Sequence, residues 1–209
     1  MKFAKNLLFL LGFGLTACTG YLAENGKTDY RIVLTDASDT LQQQAAAELQ
    51  TYLYQMSGAR LPIETDKGAK NIYIGFPQTA PEAITSFDRD QLQSDGFYLK
   101  TIQDDLYILG GTEKGVLYGT YELLEQLGCR QYSAEAQYIP AIDKLKLPKL
   151  DDIQVPVIQY RDVLYTHAKT EPFRSWHRLD VPLIGEQREE WGYWCHSFFD
   201  LVDPENPVL

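Results

Sequence analysis

Residues 95–130, DGFYLKTIQDDLYILGGTEKGVLYGTYELLEQLGCR, decide the fold of this 209-residue chain. Two runs rich in aromatic and branched side chains, 97–102 and 106–109, predict two strands joined as a hairpin. Gly110-Gly111 then allows the chain to leave the second strand and turn at once into a helix. That helix is predicted over 113–127, because apolar residues recur on one face and a glycine follows it. A strand–strand–helix unit of this kind predicts a mixed α/β architecture.

The residues upstream extend the same pattern. Residues 30–34 predict a strand, and the apolar spacing over 41–56 predicts an amphipathic helix with an N-cap at Ser38 or Asp39. Further short strands are predicted at 61–64, 71–75, 129–132 and around 145–147. Together these elements predict one α/β (α+β) domain over residues 30–150, a two-layer sandwich in which a mixed sheet carries two helices on one face.

The residue pattern of the sequence changes after Pro156. Residues 157–164 are strongly β in character, a helix is predicted over 172–179, and 191–199 form a second strand-like run rich in aromatic residues. Residues 157–209 are therefore predicted to form a second region that is distinct from the first domain.

The first eighteen residues predict export. Lys2 and Lys5 precede a short apolar run that ends in Leu15-Thr16-Ala17-Cys18, and this run is too short to span a bilayer. The ending resembles the bacterial lipoprotein box, which implies that residues 1–17 are a signal peptide and that Cys18 is lipidated and attached to a membrane. Residues 18–29 are interpreted as a polar tether. Thr19, rather than Asp, follows Cys18, and by the same resemblance this favours the outer membrane.

Charge and cysteine content exclude several classes of function. The formal net charge is −10 and falls to −12 when residues 1–17 are removed, so nucleic acid is not expected as a partner. Cys129 and Cys195 could form a disulfide in an oxidising compartment, although two buried thiols are favoured. The three histidines and three cysteines follow no metal-binding pattern, and Gly110-Gly111 lacks the rest of a nucleotide-binding motif. Neither a metal nor a cofactor is expected.

Two groups of motifs resemble known glycosidases. The segments 95–99, 106–111 and 115–130 resemble the N-terminal domain that precedes the catalytic barrel of bacterial β-hexosaminidases and α-glucuronidases. They are also similar to uncharacterised Bacteroidetes-type lipoproteins with a glycosidase-like barrel. In that family Tyr160-Arg161-Asp162, Phe173-Arg174 with Arg178-Leu179, and His196-Ser197-Phe198 correspond to the opening of the barrel. The resemblance implies that residues 157–209 are the incomplete start of a (β/α)8-type barrel.

The resemblance also implies where sugar contacts would lie. Arg161 and His196 are candidate substrate-binding residues, and Trp191 and Trp194 are candidate stacking platforms for a sugar, although all four could instead be structural. No catalytic residue is assigned. Only 53 residues follow Pro156, whereas a complete barrel needs about 250 residues. The acidic residues of this region, Glu171, Glu189 and Glu190, are interpreted as solvated surface charges.

Three hypotheses follow. In the first, the chain is the N-terminal portion of an extracytoplasmic glycoside hydrolase-like lipoprotein that takes part in glycan degradation and is inactive by itself. In the second, it is a non-catalytic carbohydrate-binding or scaffold lipoprotein. In the third, it is a structural partner that packs on a separately encoded barrel. The expected partners are a glycan or oligosaccharide and a membrane.

Overall fold

A mixed six-stranded sheet forms the centre of the protein. The computed structural model describes residues 20–79, 84, 87–158, 160–163 and 165–180. The strands are β1 (Tyr21–Glu24), β2 (Tyr30–Leu34), β3 (Ile63–Glu64), β4 (Lys70–Gly75), β5 (Phe97–Ile102), β6 (Asp105–Gly110), β7 (Arg130–Gln131), β8 (Gln137–Tyr138), β9 (Lys144–Lys146) and β10 (Asp151–Gln154). The helices are α1 (Thr40–Ser57), α2 (Glu113–Gln126) and the single turn α3 (Phe173–Trp176).

The central sheet has the strand order β10-β5-β6-β4-β2-β3. Strands β6, β4, β2 and β3 run parallel to one another, whereas β5 runs antiparallel to both β6 and β10. The antiparallel pairing arises from the tight β5–β6 hairpin, where Gln103 takes a positive φ of 55°. The predicted hairpin is confirmed, and it makes the sheet mixed.

Both long helices cover the same face of the sheet. Buried residues of α1 and α2 form one core with alternate strand residues, including Ile32, Ile72 and Ile108. The intervening strand residues face the other side, where Ile84 and Leu92 from the β4–β5 connection cover them. The predicted arrangement of two helices on one face is therefore confirmed.

The ends of α1 follow the sequence signals. Asp39 is the N-cap, and its carboxylate accepts hydrogen bonds from the backbone N–H groups of Leu41 and Gln42 at 2.8 and 3.0 Å. Gly58 ends the helix in the left-handed region with φ 73°. The prediction left Ser38 and Asp39 open as the cap, and the structure selects Asp39.

Residues 21–24 correct the predicted tether. They form β1, which pairs antiparallel with β9 outside the central sheet, so the ordered chain begins well before residue 30. The sequence analysis missed this strand, because only Leu22 and Ala23 of its four residues are buried and its apolar pattern is therefore weak. The sequence also missed β8 and β10, whose few residues carry little apolar pattern.

The strand predicted over 157–164 is wrong for the residues that the structure describes there. Residues 157–158 and 160–163 are irregular, and the side chains of Val157 and Ile158 are largely exposed. A strand needs a partner for its backbone hydrogen bonds, and none of the described strands lies alongside this segment. The helix predicted over 172–179 is reduced to α3. No described helix is both long and apolar enough to cross a bilayer.

Candidate functional site

Four charged side chains from distant parts of the chain meet at one end of the central sheet. Asp95 precedes β5, Lys114 lies in the first turn of α2, and Arg161 and Asp180 come from the segment that follows β10. Arg161 Nη2 lies 2.5 Å from Asp95 Oδ2, and Lys114 Nζ lies 2.5 Å from Asp180 Oδ1. The two cross distances, Lys114 to Asp95 and Arg161 to Asp180, are both 3.8 Å. We call these four residues the junction cluster.

The junction cluster is largely removed from water. The side chains of Asp95, Asp180 and Arg161 are 6%, 9% and 19% exposed, while that of Lys114 is 45% exposed. Burial alone would lower the pKa of Arg161, but the hydrogen bond to Asp95 and the charge of Asp180 outweigh it and raise that pKa above its ordinary value. The same balance of burial against carboxylate contacts raises the pKa of Lys114. Both cations therefore stay charged at neutral pH.

Arg161 is tied down by further hydrogen bonds. Its Nε donates to the carbonyl of Arg178 and its Nη1 to the carbonyl of Ile158, each at 2.6 Å. Its backbone N–H donates to Asp180 Oδ2 at 2.9 Å, and its own carbonyl accepts from the backbone N–H of Asp180 at 2.7 Å. Each of the three guanidinium nitrogens thus has a protein acceptor, and the arrangement clamps residues 160–163 and 165–180 onto the domain.

Close packing of glycines places Asp95 beside Lys114. A Cβ atom built at Gly115 would lie 2.2 Å from the carbonyl oxygen of Gly96, so the first turn of α2 contacts the start of β5 directly. The same carbonyl accepts a hydrogen bond from the backbone N–H of Gly111 at 2.9 Å. The Gly-rich motif of the sequence therefore sets the geometry of the junction cluster.

Trp176 provides the apolar part of the same attachment. Its side chain is buried against α1 and α2, with ring centroids 5.4 Å from Tyr52 and 5.1 Å from Tyr121. Nearby, Arg178 Nη2 lies 2.7 Å from Glu122 Oε2 on α2. Residues 165–180 are thus held to the helical layer by one buried aromatic ring and by ion pairs on either side.

Glu48 and Glu171 are two described carboxylates that repel each other. The pKa of Glu48 is raised, first by its burial and then by the negative charge of Glu171. Glu171, however, lies 2.8 Å from Arg174 Nε and accepts a hydrogen bond from the backbone N–H of Ser175. Within the described ranges no group of His, Cys, Asp and Glu side chains could hold a metal ion.

The structure describes only some of the candidate residues that the sequence analysis named. Arg161 lies in the junction cluster, with no sugar site described around it, and its role in binding a sugar stays a prediction. His196, Trp191 and Trp194 lie outside the described residues, as do Cys18 and Cys195. Cys129 is a buried free thiol whose Sγ lies 3.5 Å from Met56 Sδ.

Sequence reasoning missed the junction cluster as a unit. Asp95 and Arg161 are 66 positions apart, and no local pattern connects them. The only available signal was the position of Asp95 directly before a predicted strand, beside the Gly-rich turn that brings the helix close.

Comparisons with known proteins agree with the sheet-and-helix architecture. Residues 15–123, just over half of the chain, match the family described as Glycosyl hydrolase family 67 N-terminus. A probable alpha-glucuronidase A of Aspergillus terreus is 33% identical over 94 residues, which is 43% of this chain and 11% of that protein. The chain therefore spans about a ninth of the length of this relative.

A solved glycoside hydrolase shares the fold. A family GH115 4-O-methyl-alpha-glucuronidase with specificity for decorated arabinogalactans superimposes with a TM-score of 0.52 at 18% identity, over 66% of this chain and 19% of that one. A GH20 beta-N-acetylhexosaminidase from Streptomyces coelicolor A3(2) gives a TM-score of 0.45 at 19% identity, over 63% and 23% of the two chains. The resemblance drawn from residues 95–130 is confirmed at the level of a glycoside hydrolase N-terminal domain. This chain belongs to the Glycosyl hydrolase family 67 N-terminus family.

Proposed function

We propose that this chain supplies the N-terminal, non-catalytic domain of an extracytoplasmic, lipid-anchored protein that degrades glycans. The domain holds the polypeptide that follows it and does not itself cleave a glycosidic bond. The junction cluster is the observation on which this rests. Its two buried carboxylates are each matched by a cation, so they serve as a structural clamp rather than as a catalytic pair.

The named relatives indicate which glycans to test first. The fungal relative is a probable alpha-glucuronidase, and the GH115 structure is an alpha-glucuronidase specific for decorated arabinogalactans. Glycans that carry glucuronosyl groups are therefore the substrates that we propose for the whole protein.

Turnover assays test the non-catalytic role. The 209-residue chain is incubated with aryl α-glucuronides, aryl β-N-acetylhexosaminides and glucuronosyl-bearing arabinogalactan, and released sugar is measured. We expect no release above that of a heat-denatured sample. Clear turnover by this chain that is lost on denaturation would overturn the proposal.

The anchor and location are proposed from the sequence of residues 1–19. The body of the protein would lie in water on the outer membrane, held by acyl chains on Cys18. Metabolic labelling with an alkyne palmitate analogue should mark the chain, and Cys18→Ser should abolish the label. A labelled Cys18→Ser variant, or an unlabelled parent, would contradict the anchor.

A second candidate, a non-catalytic glycan-binding protein, is favoured by one exposed surface. The register of β7 and β8 puts Tyr132 and Tyr138 on the same side of the ribbon, and these side chains are 70% and 53% exposed. Flat aromatic rings with a polar edge suit stacking on sugars. Arabinogalactan binding that is lost in Tyr132→Ala and Tyr138→Ala but kept in Tyr54→Ala would support it, because Tyr54 is equally exposed on α1. Equal binding by all three variants would exclude this surface.

A further inference from the structure

The described structure begins very close to the proposed anchor. The carbonyl of Gly20 accepts a hydrogen bond from the backbone N–H of Leu147 at 2.9 Å, and β1 starts at the next residue. Only Thr19 lies between Cys18 and Gly20, so two peptide units join them and their Cα atoms can be at most about 7 Å apart. A long flexible tether between an acyl chain at Cys18 and the folded body is therefore excluded by covalent geometry.

The surface around Gly20 has the residue types that suit a membrane interface. Tyr21 pairs in register with Lys146, and Lys144 Nζ lies 5.7 Å from the centroid of the Tyr21 ring. Lys144 and Lys146 are both exposed. Beside them is a cleft of about 520 Å³, whose charged lining residues are Lys27, Lys70, Glu24 and Asp29. Tyrosine favours the headgroup region of a bilayer, and lysine favours anionic lipids.

Gly20 and the junction cluster lie at opposite ends of the β5–β6 hairpin. The turn of the β5–β6 hairpin lies beside it, since a Cβ atom built at Gly20 would be 3.3 Å from Asp104 Oδ1. The opposite end of the same six-residue strands lies beside Asp95 and Lys114 of the junction cluster. At about 3.4 Å per residue, these ends are about 17 Å apart.

We propose that the ribbon formed by β1 and β9 lies directly on an anionic membrane surface, with Lys144 and Lys146 against lipid headgroups. The domain then acts as a rigid spacer whose junction cluster faces away from the bilayer. This inference rests on the proposed acyl anchor at Cys18. The partner of this ribbon is a lipid surface, because only two peptide units join Gly20 to the acylated Cys18.

Two lysines of the native chain form a matched pair for the test. Lys144 is 57% exposed and lies 2.6 Å from Glu24, whereas Lys114 is 45% exposed and lies 2.5 Å from Asp180 at the opposite end of the domain. The full acylated chain is reconstituted into vesicles of phosphatidylethanolamine and phosphatidylglycerol and treated briefly with an acetylating N-hydroxysuccinimide ester. Acetylation of each lysine is then read by peptide mass spectrometry. The reference is the Cys18→Ser chain mixed with the same vesicles.

We expect Lys144 and Lys146 to lose reactivity in the acylated chain while Lys114 keeps it. Inserting fifteen Gly/Ser residues between Thr19 and Gly20, with a mean reach of about 20 Å, should restore the reactivity of Lys144. Equal reactivity of Lys144 and Lys114 in the acylated chain would overturn the orientation. Absence of lipid on Cys18 in the same mass spectra would instead refute the anchor, so the two failures are distinguishable.

Discussion

Removing Arg161 should weaken the attachment of residues 165–180 to the domain. Arg161→Ala leaves the buried Asp95 with Lys114 at 3.8 Å as its nearest described cation, whereas Asp180 keeps Lys114 at 2.5 Å. Breaking a buried ion pair by removing one partner costs about 3–5 kcal/mol. Because Lys114 remains, we expect the lower end, about 3 kcal/mol. For a domain of this size that is a fall in Tm of about 6–12 °C.

Thermal denaturation and hydrogen exchange measure this effect together. Backbone amides of residues 165–180 should exchange faster in Arg161→Ala, because these residues are held through the junction cluster and Trp176. The matched control is Lys144→Ala, which breaks the exposed Lys144–Glu24 pair and should change the stability far less, because water screens that pair. The junction cluster does not act as a clamp if both variants show the same small fall in Tm and if hydrogen exchange in residues 165–180 is unchanged.

Four further predictions address packing and titration. Gly115→Ala should destabilise the fold by at least about 2 kcal/mol in urea unfolding, because its Cβ would lie 2.2 Å from the carbonyl oxygen of Gly96; an unchanged midpoint would contradict this close contact. Trp176→Ala should cost about 3–5 kcal/mol by the same measurement, since the buried ring leaves a cavity; a cost below about 1 kcal/mol would mean that the ring is not packed. Because folding raises the pKa of Glu48 above its unfolded value of 4.5, the charged side chain destabilises the folded protein as the pH rises through its folded pKa. Glu48→Gln should therefore stabilise the protein at pH 7 and have no effect below pH 4.5. Equal stability of the variant and the parent at pH 7 would refute the raised pKa. Burial raises the pKa of Cys129 to about 11, so iodoacetamide at pH 8 should modify this thiol only after unfolding; rapid labelling of the native protein would contradict its burial.

Local patterns were sufficient for the two long helices and the β5–β6 hairpin of the first domain. The strand at 30–34 and the β5–β6 hairpin follow from short runs of apolar and branched residues. The ends of α1 follow from Asp39 and Gly58, which satisfy backbone groups within one turn. These signals act between residues a few positions apart, so they can be read directly from the sequence.

Edge elements and the downstream segment could not be predicted in the same way. β1 and β10 are stabilised by strands that lie far away in sequence, and their own residues carry weak patterns. Residues 157–164 are β-rich, yet those that are described form no strand, and none of the described strands lies beside them.

The sequence by itself predicted the α/β fold class from periodicity and helix caps, which are local properties of the chain, and its Gly-rich motif resembled a glycoside hydrolase N-terminal domain. Only the tertiary structure decided that Asp95, Lys114, Arg161 and Asp180 form one buried cluster, and that β1 follows Cys18 so closely. The physical reason is that ion pairing and strand pairing depend on distance in space. Contacts over 66 positions have no signature in a single sequence.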